Sequence, residues 1–393
     1  MVITDMEIRD YRPGTRAAVW EIQEFRGRAG LERLEGDWRR IWAGLPLRTS
    51  FMSFEACAAH VDHIMGDPDQ LRCLALGDGR EVRGICLLEP RMDMRLGMPV
   101  PTWGVLWLKH SHQADVLCTD DEARRRFLPA LAAHVRREPE GRPLLVMGPL
   151  PSGSPFWEGL RSLGPPCLDP KESVRFMDCG SPYGDLLAGL SGNFRHNLNT
   201  ARKRLAGLAD VHFVIAREPR ELEREFSTFL EVEASSWKGA AGTAVKFRRR
   251  QPAFFAALAG TLRGETDRFE IHALYAEGRC LASILGTRTG AVFSALKTAY
   301  DPAFARVSSG QVLLARVIEL CCADPGIQRL DLVSDAPWLR GWRTEQVTLQ
   351  LAYVGTGGWR GRLLTALLKL RFGPVRRLAR WLRERKALSR IPL

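Results

Sequence analysis

Apolar and polar positions along the second half of the chain follow a regular order of helix and strand spacings. The pattern predicts helices over Asn193–Leu208, Pro219–Ser235, Pro252–Arg263 and Ser309–Cys322, the last with Val312, Leu313, Val317, Ile318 and Cys321 at helical spacing. Strands are predicted at Val211–Ala216, Arg268–Tyr275, Cys280–Thr287, Ala291–Ala299, Gln328–Val333 and Val347–Val354. Glu277-Gly278 and Thr289-Gly290 separate three of them closely enough for an antiparallel meander. The first half reads less cleanly but in the same order. Helices are predicted near Arg16–Arg26, Gly36–Ala43, Phe54–Ile64 and Asp120–Arg137, and strands at Leu71–Leu76, Val82–Leu88, Thr102–Leu108 and Pro143–Met147, before turn-rich Gly148–Pro155.

This repeated order predicts an α/β fold with mixed sheets and two tandem domains of similar build, residues 1–182 and 183–356, followed by a tail, 357–393. The length, 393 residues, suits two domains that each bury a core, and a composition 45% hydrophobic and 26% charged excludes disordered and fibrous classes. The nine cysteines are scattered without a Cys-x-x-Cys pair, which argues against a disulfide framework and for a reducing compartment. Acids and arginines run through the first thirty residues, unlike a signal peptide, and no apolar run of about 18 residues spans a bilayer. A cytoplasmic location is expected.

Charge changes the picture only locally. The net charge is +12, but residues 357–393 hold eleven Lys and Arg against one acid, Glu384, so the body is nearly neutral. A polyanion-binding role for the whole surface is therefore excluded. Within the tail, Leu363, Leu364, Leu367, Leu368, Trp381 and Leu382 alternate with arginines around a Gly373-Pro374 break. Two short amphipathic helices over 360–390 would suit peripheral contact with an anionic membrane, at the inner face; the alternative is a helix packed on the body.

Candidate chemistry gathers between Ala291 and Cys322. A strand ends at Tyr300-Asp301-Pro302, and Arg306-Val307-Ser308-Ser309-Gly310-Gln311 opens the next helix. Small residues at a helix start leave backbone N–H groups aimed outward at the positive dipole end, where a pyrophosphate of a nucleotide-bearing donor can sit. The alternative for Ser308 and Ser309 is simple N-capping. His110 and His112 form a close His pair, without Cys, Asp or Glu at ligand spacing, so no metal is expected.

The ordered series Glu233-Ala-Ser-Ser-Trp237-Lys238-Gly239, Gly242-Thr243, Leu296-Lys297-Thr298-Ala299-Tyr300-Asp301, Ser309-Gly310, Leu330-Asp331-Leu332 and Trp342 resembles the cellulose-biosynthesis-type acetyltransferases of the GNAT superfamily. Ser191–Leu205 resembles that group's opening helix. The resemblance runs from about 190 to 355 and extends faintly, in element order, over the first half. It implies a double GNAT-like fold, related to the Fem-type transferases. The first copy would be degenerate, and the second would move an acetyl or other acyl group from acyl-CoA to an amine or hydroxyl of a sugar, polysaccharide or related metabolite. The Fem-type branch, which takes an amino acid from aminoacyl-tRNA, is the alternative, and a non-catalytic binding scaffold is another.

The resemblance also implies roles. Arg306, Ser308, Ser309, Gly310 and Gln311 would hold the donor, although the loop has one glycine where the superfamily pattern has two glycine-like positions. Tyr300 would be the general acid, Asp301 and Glu233 bases or orienting carboxylates, and Lys297 an electrostatic aid or phosphate ligand. A backbone N–H within Leu296–Thr298 would hold the oxyanion. Trp237 and Lys238 would cover donor or sugar, and Asp331, Asp335, Trp338 and Trp342 would line the acceptor side. Tyr300 as a core-edge residue, Asp301 as a turn initiator and Glu233 as a solvated helical acid are the plain alternatives.

Overall fold

The computed structural model describes residues 20–46, 48–106, 116–137, 141–154, 156–161 and 167–375. In the first half, strand β1 (Glu21–Arg26) leads into helices α1 (Gly27–Arg33), α2 (Glu35–Ala43) and α3 (Phe54–His63). Strands β2 (Arg72–Gly77), β3 (Val82–Asp93), β4 (Val100–Val105) and the two-residue β5 (Leu117–Cys118) follow, then helix α4 (Asp121–Arg137), β6 (Leu144–Pro151), α5 (Phe156–Arg161) and β7 (Cys167–Asp178). The second half runs α6 (Tyr183–Ala188), α7 (Gly192–Ala206), β8 (His212–Ala216), α8 (Pro219–Ser235), α9 (Trp237–Ala240) and α10 (Gln251–Thr261). It continues with β9 (Asp267–Ala276), β10 (Arg279–Thr289), β11 (Val292–Tyr300), α11 (Ser309–Ala323), β12 (Arg329–Asp331), β13 (Glu345–Gly355) and α12 (Gly358–Leu370).

All the strands belong to one mixed sheet in the order β1-β2-β3-β4-β6-β13-β7-β12-β11-β10-β9-β8, with β5 beside β3. The order is close to symmetric about the β13–β7 pair. Edge strands β1 and β8 pair antiparallel with β2 and β9, and among the described residues each half has a single parallel pair, β4–β6 and β11–β12. The last strand of each half crosses to the other. β7 pairs with β12, and β13 pairs with β6.

Side-chain alternation along these strands sends apolar residues to both faces. One face is covered by α1–α3 and by α8 and α10, whose Leu31, Phe54, Leu222, Phe229 and Phe254 share one cluster across the two halves. α4 and α5 cover the opposite face of the first half, and α7 and α11 that of the second. α12 lies over the centre of the first face through Leu368, which is packed with Val146, Leu351 and Tyr353.

Most helices and strands fall within a few residues of their predicted places. The helix expected at Arg16–Arg26 is instead strand β1 over Glu21–Arg26, paired from Glu21 opposite Gly77 to Arg26 opposite Arg72. Ile22 and Phe25 pack on opposite faces, and a glycine at φ +68°, Gly27, ends the strand and opens α1. β7 has no counterpart in the apolar pattern because Asp169, Pro170, Lys171 and Glu172 interrupt it. Residues 376–393, the second part of the predicted amphipathic tail, and His110 and His112 lie outside the described residues.

Candidate active site

The site begins with a gap in the sheet. β11 pairs with β10 along its length, but on its other edge it meets β12 only at Val292–Ser294 opposite Arg329–Asp331. From Ala295 to Tyr300 that edge has no neighbouring strand among the described residues. The β10–β11 register shifts so that Leu285 faces Lys297 while Gly286 faces Ala295, leaving Leu296 as the extra residue of a β-bulge.

The register also fixes which backbone groups face the gap. Asp301 N–H donates to Leu281 O at 2.9 Å, next to the Ala282–Tyr300 pair. Hydrogen-bonded and open pairs alternate in an antiparallel ladder, so the amides and carbonyls of Thr298 and Tyr300 turn away from β10. In agreement, Thr298 O accepts from Lys238 Nζ at 2.7 Å. The Thr298 N–H points to the same edge.

A cavity of about 640 Å³ opens at this end of β11. Its walls are Thr298 and Tyr300, the start of α11 at Ser308–Gln311, the α9 corner at Trp237 and Lys238, and Trp338. Ser308 is left-handed at φ 48°, and its hydroxyl does not cap the helix. Ser309 is buried and donates through Oγ to Leu281 O at 3.0 Å, which ties α11 to β10. Simple capping therefore does not describe either serine. Gln311 and Val312 N–H donate to Ser308 O, whereas those of Ser309 and Gly310, in the first turn, have no intrahelical acceptor. A side chain built at Gly310 would meet nothing closer than Tyr300 Cβ at 3.9 Å, an ordinary van der Waals contact, so Tyr300 and the helix start are near neighbours on one cavity wall. Gln311 is fixed by donating to Trp338 O and accepting from Trp342 Nε1.

The other wall is held by a buried carboxylate. Glu233 is 1% exposed, accepts from Lys238 Nζ at 2.9 Å with one oxygen and from Val245 N–H at 2.7 Å with the other. It fixes the Lys238 ammonium at the strand edge and does not itself line the cavity. The tight α8–α9 turn behind it requires Gly239, where a Cβ would lie 1.7 Å from Ala234 O. Trp237 stands 62% exposed at the rim.

Lys297 faces the opposite side of the strand, with Glu233, Lys238 and Arg248 around it. Burial, reinforced by Lys238 and Arg248 and opposed by Glu233, pushes its ammonium down to about 8. Asp331 sits on β12, alternating with Leu330 and thus on this same face; burial raises its carboxyl although Oδ1 accepts from Val333 N–H at 2.9 Å.

The cavity thus brings together Tyr300, Ser308, Ser309, Gly310, Gln311, Trp237 and Lys238. Asp301, Arg306, Asp335 and Trp342 stand elsewhere. Asp301 Oδ1 caps the short helix Pro302–Val307, Arg306 is exposed with its carbonyl accepting from Arg204, and Asp335 pairs with Arg175. Trp342 is buried against Phe194, with ring centroids 5.1 Å apart. Sequence reasoning missed Ser236, whose hydroxyl caps α9, and Arg175, which lies on the unread strand β7. Only the Ser-Ser before Trp237 signals the first.

A second cavity of about 900 Å³ lies in the first half, lined by His60, Glu89, Arg91, Asp93, Arg95 and Thr102 among others. Burial pushes the Glu89 carboxyl up, but His60 and Arg91 outweigh it and leave it below its usual range. No group of three or more His, Cys, Asp or Glu able to hold a metal ion occurs among the described residues.

Comparison with known proteins bears on the fold. Residues 192–339 match the family model of an acetyltransferase (GNAT) domain. The matched GNAT segment contains the gap, the bulge and the start of α11. Among solved structures, FemX is 12% identical, with 81% of this chain and 95% of that one covered at a TM-score of 0.56. The C-terminal domain of a putative lysylphosphatidylglycerol synthetase from Agrobacterium fabrum is 9% identical, covering 88% and 97% at 0.53. A protein of unknown function from Bacteroides thetaiotaomicron is 10% identical, covering 81% and 96% at 0.55. The fold is accordingly a GNAT- and Fem-like α/β fold extending over both halves. No curated protein matches the sequence.

Proposed function

We propose that the chain is a cytoplasmic acyltransferase of the cellulose-biosynthesis-type kind, moving an acetyl or other acyl group from acyl-CoA to an amine or hydroxyl of a sugar, polysaccharide or related metabolite. One observation carries the reading. The cavity joins the unpaired edge of β11 to the start of α11, so amides at Thr298 and at Ser309–Gly310 line one path past Tyr300.

The donor's pyrophosphate rests on the amides of Ser309 and Gly310, at the positive end of α11. Its thioester carbonyl lies against the Thr298 N–H, which stabilises the oxyanion as the acceptor attacks; a donor of this kind contributes about 10²–10³-fold. A carbon–nitrogen or carbon–oxygen bond forms, the carbon–sulfur bond breaks, and Tyr300 gives its proton to the departing thiolate. Lys297, when neutral, takes the acceptor's proton on the far face of the strand.

Aminoacyl transfer from tRNA is the second reading, favoured by the FemX likeness and by a donor loop with a single glycine. Thermal unfolding with CoA, acetyl-CoA and aminoacyl-tRNA separates the two. The expected result is stabilisation by acetyl-CoA, and Tyr300→Phe lowering turnover about 10²-fold with that stabilisation kept. Stabilisation by aminoacyl-tRNA alone selects the second reading, and stabilisation by neither leaves a binding scaffold.

A further inference from the structure

α12 has two apolar faces, and the fold uses one. Leu368 is buried over the centre of the sheet, Leu364 and Phe372 pack beside it, and Gly361 lies against the chain, where a Cβ would come within 2.8 Å of Pro143 O. The other face carries Trp359, Leu363, Leu367 and Leu370, between 42 and 67% exposed. Their spacing of four, four and three residues makes one stripe about 16 Å long.

A second exposed apolar element stands beside α12. The hairpin between β3 and β4 presents Met92, Met94 and Met98, each more than half exposed, while its Leu96 packs in the same cluster as Leu364 and Phe372. Of the twelve large hydrophobic side chains exposed among the described residues, seven lie on these two elements. Scattered singly they would need no explanation; gathered around one small cluster they mark a contact surface.

Charge identifies the partner. Arg360, Arg362, Lys369 and Arg371 flank the stripe, and the sequence holds no acid between Gly357 and Arg383. A protein groove that accepted the leucines would need to match this one-signed border, whereas an anionic lipid surface supplies acyl chains beneath and phosphates above for the same helix. At thirteen residues, and with no described helix long and apolar enough to cross a membrane, α12 can only lie along the surface.

We propose that α12 and the β3–β4 hairpin form a docking surface for an anionic lipid bilayer, with Trp359, Leu363, Leu367, Leu370 and the hairpin methionines entering its interfacial layer. The inference stands apart from the acyl-transfer reading. It would hold for a scaffold as well as for an enzyme.

The test is co-sedimentation of the full chain with phosphatidylcholine vesicles, with and without about a third phosphatidylglycerol. The expected result is binding only to the anionic vesicles, weakened at least tenfold by the exposed-site pair Leu363→Glu and Leu367→Glu with thermal unfolding unchanged, and reduced by Met94→Glu alone. A solvatochromic side chain in place of Leu363 should report water in buffer and an apolar setting on anionic vesicles. The proposal is overturned by binding that survives the double substitution or by equal binding to neutral vesicles. It is equally overturned if the probe at 363 is already dry in buffer, since the chain's own C-terminal segment or a second copy would then occupy the stripe; light scattering tells those two apart.

Discussion

At the scale of single residues, Lys297 is the shifted cation beside the proposed site. Its half-buried amine lies on the face of β11 away from the donor cavity, and Lys238 and Arg248 press on it while Glu233, already bonded to Lys238, offsets only part of their charge. With its ammonium at about 8 rather than 10.5, Lys297 is half neutral just above physiological pH and can accept a proton there. Turnover is expected to rise between pH 7 and 9 with a midpoint near 8, and Lys297→Met should lower the rate and remove that midpoint. Stability supplies an independent readout. Between about 8 and 10.5 the unfolded chain holds a proton that the folded chain has lost, so stability gains as pH rises through that window. Lys297→Met should therefore be more stable than the parent at pH 7, and the two melting profiles should converge above pH 10. A parent profile flat from 8 to 10 removes Lys297 from this role.

Elements decide whether the donor can be held. The first turn of α11 offers two amides, and a Cβ at Gly310 would be in ordinary contact with Tyr300 Cβ. A Cβ at Gly310 meets no clash, and Gly310→Glu brings a carboxylate to the helix start where the pyrophosphate would lie. Donor affinity should fall at least tenfold, read by calorimetry, while the melting temperature moves by no more than a few degrees. Unchanged affinity would place the donor phosphates elsewhere. The same scale shows what the sequence could disclose. α8, β9, β10, β11 and α11 are legible because apolar spacing and the Glu277-Gly278 and Thr289-Gly290 turns agree with the fold. Tyr300, Ser308 to Gln311, Trp237 and Lys238 could be picked out because short turns bound these elements, and all meet at one cavity. What local pattern cannot disclose is tertiary partnership. Asp301, Asp335, Glu233 and Trp342 look available in the sequence, but a backbone amide, Arg175, Lys238 and Gln311 respectively engage them. Likewise β1 and β7 carry too many polar residues to announce themselves, and they become strands because a sheet edge and the β12–β13 slot await them.

For the whole molecule, those two unread strands matter most. Two independent domains would each close their own sheet, but here β7 fills a place beside β12 and β13 a place beside β6. The apolar cluster under α3 and α10 is likewise shared, with Ser50 and Thr287 hydroxyls 2.7 Å apart inside it and Arg250 donating to the carbonyls of Ile64 and Met65. Cutting the chain between the halves would expose the central strands β6 and β12 and open the common cluster, losses far larger than the about 5–15 kcal/mol that holds a domain together. Calorimetry of the full chain should thus give one cooperative transition, with van't Hoff and calorimetric enthalpies in agreement. Residues 1–182 and 183–393, expressed apart, should fail to show native dispersion, and mixing them from denaturant should restore it. Two separated transitions, or an independently folded second half, would mean that the strand exchange contributes little. The donor cavity would then be a property of the GNAT segment alone, and the gap beside β11 would survive without β7 to set the position of β12.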